Sequence, residues 1–197
     1  MFQNLFNLFN KDKRSTYKVF VIINIIIRLL VGPLILISVW YASIISFFFD
    51  WIDGELFKRA GIKRTIYSYS DKILDYYWYL AVIYYIYLAS VPNKEIYLLL
   101  FIYRSVGQFW FFFSKNEKIL IFFPNIFEIL FYFYLFSTKF VILRPVVNSS
   151  QIYLLIALLT PIKLVREYFL HIENANLSWF FTGKTTYWID DKFSKRF

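Results

Sequence analysis

Four aspartates stand in two pairs within the stretch DWIDGELFKRAGIKRTIYSYSDKILD, which covers residues 50–75. Asp50 and Asp53 are three positions apart, and Asp71 and Asp75 are four apart, so each pair shares one face of a helix. If the two helices are antiparallel neighbours, all four carboxylates meet at one end of them. Carboxylates that close repel each other unless cations neutralise them, and oxygen ligands suit hard ions such as Mg²⁺, Mn²⁺ or Ca²⁺. The spacing therefore predicts a site for two divalent metal ions.

Two ions clamped by carboxylates at a lipid interface can bind a pyrophosphate and stabilise displacement at phosphorus. An aspartate that is not fully committed to metal can accept the proton of an attacking hydroxyl. Acidic residues also flank membrane helices without any metal, where water or nearby lysines and arginines satisfy them. One pair alone would favour that simpler interpretation, whereas two pairs in register favour the metal site.

The elements that must position these aspartates are apolar helices. Of the 197 residues, 59% are hydrophobic and 24% are aromatic, a composition typical of an integral membrane protein rather than of a soluble domain. A spanning helix needs about 20 mostly apolar residues. We therefore predict an all-α, polytopic membrane helix bundle of five or six transmembrane helices. The apolar stretches are roughly 18–49, 76–91 extended by its polar start, 96–113, 119–136 and 151–170.

The segment 18–49 leaves open whether it crosses the membrane once or twice. It is long for one upright span and short for two, and Gly32-Pro33 is the expected kink or break. The basic residues at 11–14 favour the same side of the membrane as those at 58–64. That preference requires an even number of crossings between them, which favours two short helices.

Three further turns and three segments complete the predicted organisation. Turns are expected near Pro92-Asn93, Ser114–Lys118 and Asn148–Ser150. Residues 1–17 are expected to form an amphipathic or flexible N-terminal segment, and 18–172 the transmembrane domain. Residues 173–197 are expected to form a cytoplasmic tail.

The formal charge of +9 is spread through short loops and tails instead of along one polar face, so nucleic-acid binding is not expected. The positive-inside bias places the 50–75 region and the C-terminus in the cytoplasm. The absence of cysteine and the single histidine, His171, exclude thiol chemistry and a histidine metal site. No cleavable signal peptide is expected. We expect an integral protein of a bacterial or archaeal inner membrane, with its site facing the cytoplasm.

The aspartate pattern resembles the signature of the CDP-alcohol phosphatidyltransferases, D-x2-D-G-x2-A-R-x8-G-x3-D-x3-D. Asp50, Asp53, Gly54, Asp71 and Asp75 match it in register. The resemblance implies a membrane enzyme of about six helices, often a homodimer, whose four aspartates hold two Mg²⁺ or Mn²⁺ ions. It also implies that Asp75 deprotonates an alcohol acceptor, which attacks the β-phosphate of a CDP-linked lipid and releases CMP. Gly54 would let the backbone approach the nucleotide closely.

Three positions depart from this signature on the nucleotide side. Phe57 replaces an alanine, Lys58 an arginine and Tyr67 a glycine. Lysine keeps the charge but loses the bidentate fork of arginine, for which the neighbouring Arg59 could compensate. Because two rings stand beside the expected cytidine, two alternatives stay open. One is a different activated lipid or nucleotide as donor, and the other is a catalytically silent relative that binds a nucleotide, lipid or partner helix.

Basic residues outside the signature are candidates for holding an acceptor phosphate, as the resemblance implies. They are Lys63, Arg64, Arg104 and Arg166. Simpler roles stay open, because Lys63 and Arg64 also serve as topology signals and Arg166, with Lys163 and Glu167, could anchor a helix at the interface. Arg104 shares a face with Gln108 and could pair with Glu128. These polar residues within spans also leave a small transporter or channel subunit open, and the acceptor itself, an alcohol or an alcohol phosphate, stays unspecified.

Overall fold

The computed structural model describes residues 2–171 and Trp188, and this part of the chain is all-α with no strand, as predicted. Two 3-10 helices, Glu117–Phe122 and Val141–Leu143, accompany the α-helices. The α-helices are α1 Phe2–Ile37, α2 Val39–Arg59, α3 Arg64–Leu88, α4 Lys94–Ser114, α5 Ile126–Lys139, α6 Arg144–Asn148 and α7 Ile152–His171. Helix α1 already includes residues 2–17, and the predicted tail 173–197 lies outside the described residues except for Trp188.

The segment 18–49 forms parts of two helices, but the predicted break at Gly32-Pro33 is wrong. Helix α1 continues through Pro33 and ends at Ile37, and the chain turns at Ser38, whose backbone is extended (φ −154°, ψ 101°). Proline has no N–H to donate to the carbonyl four residues earlier, that of Leu29. The hydroxyl of Tyr77 in α3 donates to this carbonyl at 2.9 Å instead. The helix is therefore continuous because another helix supplies the missing donor.

Gly32 makes room for that tyrosine. A Cβ at position 32 would lie 2.5 Å from the hydroxyl oxygen of Tyr77 and 2.6 Å from its ring. Sequence reading interprets Gly-Pro as a break because both residues weaken an isolated helix. Here Gly32 leaves space for the Tyr77 ring, and Pro33 leaves the Leu29 carbonyl available to the Tyr77 hydroxyl. The pair therefore favours the packing of α1 against α3.

Helices α1 and α2 form an antiparallel hairpin. The side-chain amide of Asn24 donates to the carbonyl of Phe49 at 2.9 Å, and the guanidinium of Arg59 donates to the Tyr17 hydroxyl at 3.1 Å. The basic residues 13–14 and the loop after α2 therefore lie at the same end of the hairpin. The two-helix alternative for 18–49 agrees with this arrangement.

The described residues contain two helices that are long and apolar enough to cross a membrane, Lys13–Ile37 and Lys94–Ser114. A third candidate exists if Val141–Asn148 and Ile152–Tyr168, which meet at a bend of 97°, count as one span. This number is smaller than the five or six that we predicted. By the same criteria α2 and α3 do not qualify, because charged residues interrupt them at the end where they meet.

The predicted span 119–136 is not one helix. Its first part lies in the 3-10 helix Glu117–Phe122, and α5 begins only at Ile126. Between them Pro124 interrupts the chain, and the Asn125 side chain caps α5 by accepting the backbone N–H of Glu128 at 3.2 Å. The turns predicted near Pro92-Asn93, Ser114–Lys118 and Asn148–Ser150 are all present as breaks between helices.

Helix α3 supplies the centre of the core. Its residues Trp78, Tyr79, Val82 and Ile86 are buried against aromatic and aliphatic side chains of α1, α4 and α5. Large apolar side chains are also exposed on the outer helix faces, such as Leu30 at 64%, Tyr41 at 69% and Leu99 at 67%. Exposed apolar surface on this scale is typical of a membrane contact.

Candidate functional site

The structure brings the four aspartates together where α2 ends and α3 begins. Gly61, with φ of 70°, reverses the chain between the two helices, a conformation that glycine adopts without strain. The N–H groups of Gly61 and Ile62 donate back to the carbonyls of Lys58 and Phe57 at 3.0 and 3.1 Å, which closes the end of α2. This short turn places Asp50 and Asp53 opposite Asp71 and Asp75.

The carboxylates lie close to one another and are mostly shielded from solvent. Oxygens of Asp50, Asp53 and Asp71 lie within 4.8 Å of one another. Asp53 is 2% exposed and Asp71 is 8% exposed. Buried carboxylates this close together require cationic partners, because their mutual repulsion is weakly screened inside a protein.

The guanidinium of Arg28, a residue of α1, lies in the middle of the four aspartates. Its Nη1 atom donates to Asp53 and, at 3.2 Å, to Asp71. Its Nη2 atom donates to Asp50 at 3.0 Å and to Asp75 at 2.7 Å. One planar fork with several fixed donors can bridge four carboxylates in this way, whereas a lysine ammonium is a point charge.

Lys72 and Tyr67 occupy further oxygens of this aspartate cluster. The ammonium of Lys72 contacts Asp71 at 2.6 Å and Asp75 at 3.2 Å, and the hydroxyl of Tyr67 donates to Asp53 at 3.0 Å. Among the described residues, seven of the eight carboxylate oxygens thus accept a hydrogen bond. Four of these bonds come from Arg28, two from Lys72 and one from Tyr67.

Helix α1 delivers Arg28 to this position through its neighbour Asn24, one turn earlier on the same face. The bond from Asn24 to the carbonyl of Phe49 fixes α1 against α2 directly beside Asp50. The sequence reading missed Arg28. A signal was present, because Arg28 is the only charged residue between positions 19 and 49, and a charge in an apolar span requires a partner.

The donor set fits a divalent ion, since all candidate ligands are carboxylate oxygens. The formal charges fit one such ion. Four aspartates carry four negative charges, and Arg28 and Lys72 carry two positive charges, which leaves −2. One dication neutralises this charge, while a second needs further anionic groups such as the diphosphate of a nucleotide.

The residues predicted for the nucleotide side lie around Gly54. A Cβ at Gly54 would be 3.2 Å from the hydroxyl oxygen of Tyr67, so this ring already covers the glycine. The ring of Tyr67 lies 5.2 Å from that of Phe57 and stacks on Trp188 with 5.0 Å between centroids. Lys58 places its ammonium 5.0 Å from the centre of the Trp188 ring. The expected cytidine position is therefore lined, and partly filled, by aromatic rings.

Arg59 points away from the aspartates. Its guanidinium pairs with Glu55 at 2.7 Å and with the hydroxyl of Tyr17, and its side chain is 52% exposed. It therefore does not take the place of the arginine that the signature has at position 58.

The four acceptor-phosphate candidates are scattered. Lys63 directly precedes α3, makes no side-chain capping hydrogen bond and is exposed, and Arg166 is exposed on α7. Arg64 pairs with Glu117 at 2.8 Å, a contact that ties α3 to the first 3-10 helix. The fourth, Arg104, is buried with 3% exposure, and its Nη1 atom donates to the carbonyl of Phe123 at 2.5 Å.

A second set of polar side chains lies around Arg104 in the interior. The Nε atom of Arg104 and both amide atoms of Gln108 have no hydrogen-bond partner among the described residues. Glu128 contacts Asn125 at 2.7 Å, and Lys163 lies 3.6 Å from Glu167. Arg104, Gln108, Lys163 and Glu167 are each at most 5% exposed, so these four side chains are enclosed, whereas a transporter or channel would place them along an open aqueous path.

No protein-family model, curated protein or solved structure matches this chain. The aspartate cluster and its geometry are therefore the features of this chain that bear on function. The cluster combines the four aspartates of the signature with two cations and a phenol from the same chain.

Proposed function

We propose that the chain is a metal-dependent membrane transferase of the CDP-alcohol phosphatidyltransferase type. It transfers a phosphatidyl group from a CDP-linked lipid to an alcohol or alcohol-phosphate acceptor and releases CMP. The observation that supports this proposal best is the convergence of Asp50, Asp53, Asp71 and Asp75, at the spacing of the signature, on one point where α2 ends and α3 begins.

The four aspartates are the residues that would hold the divalent ions. When bound, Mg²⁺ or Mn²⁺ ions neutralise a diphosphate and stabilise the charge that develops during displacement at phosphorus. The charge of −2 on the cluster and about −2 on the diphosphate of a CDP-linked lipid together match two dications. We therefore assign the second ion to the nucleotide-bound state.

Asp75 is the residue assigned to proton transfer. Each of its two oxygens accepts one hydrogen bond, from Arg28 or from Lys72, and keeps a second lone pair that can take a proton from an acceptor hydroxyl. Lys58 is the cation nearest in sequence to Gly54 and is assigned to the nucleotide phosphates. Arg104 is the acceptor-side candidate that is enclosed and whose buried Nε has no hydrogen-bond partner among the described residues.

We also propose that more helices cross the bilayer than the two that qualify by composition alone. Helices α2 and α3, with 21 and 25 residues, are about 31 and 37 Å long, enough for the hydrocarbon core. With α7, and with α5 joined to the 3-10 helix Glu117–Phe122 before it, they complete six crossings; α5 alone has 14 residues and is about 21 Å long. This arrangement puts the aspartate end and the basic loops on the cytoplasmic side. Because the chain has no cysteine, Lys63→Cys and Pro92→Cys should each be labelled by a membrane-impermeant thiol reagent from opposite sides of sealed vesicles.

A catalytically silent relative is the second candidate, and two observations favour it. Arg28 occupies the centre of the aspartates, where ions are expected. Tyr67 and Trp188 lie over Gly54, where a cytidine is expected. A protein of this kind would keep the scaffold and bind a lipid, a nucleotide or a partner helix without turnover.

Release of CMP separates the two candidates. The purified full chain in detergent or liposomes would be given CDP-diacylglycerol, Mg²⁺ or Mn²⁺ and a panel of alcohols and alcohol phosphates. We expect CMP release that Asp75→Asn abolishes. Glu95→Gln, which removes an exposed acid at the far end of α3 and α4, is the matched control and should behave as the wild type.

A folded protein that releases no CMP with any acceptor would exclude the transferase with a CDP donor. Binding of CDP-diacylglycerol without turnover would then support the silent relative. Activity that persists in Asp75→Asn would leave the transferase standing and remove the assigned role of that aspartate.

A further inference from the structure

Arg28 adds to the aspartate cluster a cation that the signature does not contain. It bonds to every one of the four aspartates, and its own side chain is only 5% exposed. Without it the cluster would hold four negative charges against Lys72 alone. Carboxylates so close and so little exposed to water would separate or take up protons.

The same oxygens serve two competing partners. An ion held by Asp50, Asp53 and Asp71 would lie among the carboxylates that the Arg28 guanidinium now bridges, so the two cations compete for one position. A guanidinium also repels a dication that approaches to within a few ångströms. Arg28 and the first metal ion therefore cannot both keep their full set of contacts.

We propose that Arg28 is an exchangeable counter-ion of the metal centre. It holds the four aspartates together while no metal is bound, and it gives up carboxylate oxygens to the first divalent ion. The inference rests on the proposed metal-dependent function, and it makes Arg28 a positioning residue that acts through the aspartates.

Mn²⁺ binding to the purified full chain tests this inference without any substrate. Free Mn²⁺ would be measured by electron paramagnetic resonance during titration of the wild type, Arg28→Gln and Arg28→Lys. Arg14→Gln is the matched control, since it removes the same charge from an exposed site on α1, about 21 Å along the helix from Arg28.

We expect Arg28→Gln to bind Mn²⁺ at least about tenfold more tightly than the wild type, because a repelling charge and a competing donor are both removed. We expect its melting temperature in EDTA to fall and Mn²⁺ to restore it. Arg28→Lys should lie between the two proteins, since an ammonium cannot bridge four carboxylates. A residue with a purely structural role would lower stability without tightening metal binding.

Each outcome decides between the alternatives. Folded Arg28→Gln that binds Mn²⁺ equally or more weakly than the wild type overturns the inference but leaves the metal centre intact. If Arg28→Gln does not fold even with Mn²⁺, Arg28→Lys decides by the same criterion. If neither the wild type nor the variants bind Mn²⁺, the metal centre is absent and the inference is wrong with it. Release of CMP by the wild type would show that the proposed function survives when only the role of Arg28 fails.

Discussion

Replacement of Tyr77 by phenylalanine tests how α1 is held against α3. The ring that packs on Gly32 is kept, and only the hydroxyl that donates to the carbonyl of Leu29 at 2.9 Å is lost. Pro33 leaves this carbonyl without its helical donor. Since we propose that α1 crosses the bilayer, no water is expected to replace the lost hydroxyl, and the free energy of unfolding should fall by about 1–2 kcal/mol.

A second substitution isolates this hydrogen bond from other effects. Pro33→Ala restores a backbone N–H that can donate to the same carbonyl, so Tyr77→Phe should cost less than about 0.5 kcal/mol in that background. The coupling between the two positions is therefore expected to be about 1 kcal/mol. Tyr84→Phe, at a 59% exposed position two turns further along α3, is the control and should change stability little.

Unfolding of the purified proteins in mixed detergent and SDS micelles, followed by tryptophan fluorescence, gives the four free energies of the cycle. Equal costs of Tyr77→Phe with proline and with alanine at position 33 would refute the reasoning. The result also concerns the site, because Leu29 follows Arg28 directly and Tyr77 lies two positions after Asp75. The bond thus fixes the two helices within one turn of the contact between Arg28 and Asp75.

Three further changes give separate tests. Asp53→Asn should weaken Mn²⁺ binding at least about tenfold and abolish CMP release, whereas Glu95→Gln should change neither; an unchanged Mn²⁺ titration would remove Asp53 from the metal ligands. Lys72→Gln should tighten Mn²⁺ binding, but less than Arg28→Gln does, because Lys72 contacts two aspartates instead of four; a larger effect than that of Arg28→Gln would contradict the assignment. Gly107→Ala should lower the free energy of unfolding by about 1–3 kcal/mol in the same micelle assay, since the new methyl would lie 2.4 Å from the Cβ of Phe123. An unchanged free energy would show that the loop after α4 moves to accommodate the methyl group.

The sequence by itself determined the helical class, most of the turns and the pairing of the aspartates. Apolar stretches of helical length, interrupted at Pro92-Asn93 and at residues 148–150, can form little else in a chain of this composition. The spacing of Asp50 with Asp53 and of Asp71 with Asp75 fixes their relative direction, because a helix repeats every 3.6 residues. These are local properties, and local sequence is sufficient for them.

Only the tertiary structure decided what surrounds the aspartates. Arg28 lies 22 residues before Asp50 and 47 before Asp75, so its place among them follows from the packing of α1 against α2 and α3. The same is true of Trp188, which reaches Tyr67 from far along the chain. Periodicity cannot predict such contacts, since it says which face a residue occupies and not which helix that face meets.

The ends of the helices also show which features follow from local sequence and which follow from packing. Gly32-Pro33 has the local character of a break, yet Tyr77 supplies the donor that the proline lacks and occupies the space that the glycine leaves. The segment 119–136 differs, because Pro124 and the cap at Asn125 divide it locally, a break that the apolar length of the segment concealed. Local preferences of about one to three kcal/mol give way wherever another helix satisfies the exposed backbone group. The sequence thus determines which residues can meet at the site, and the packing of the helices determines which of them do.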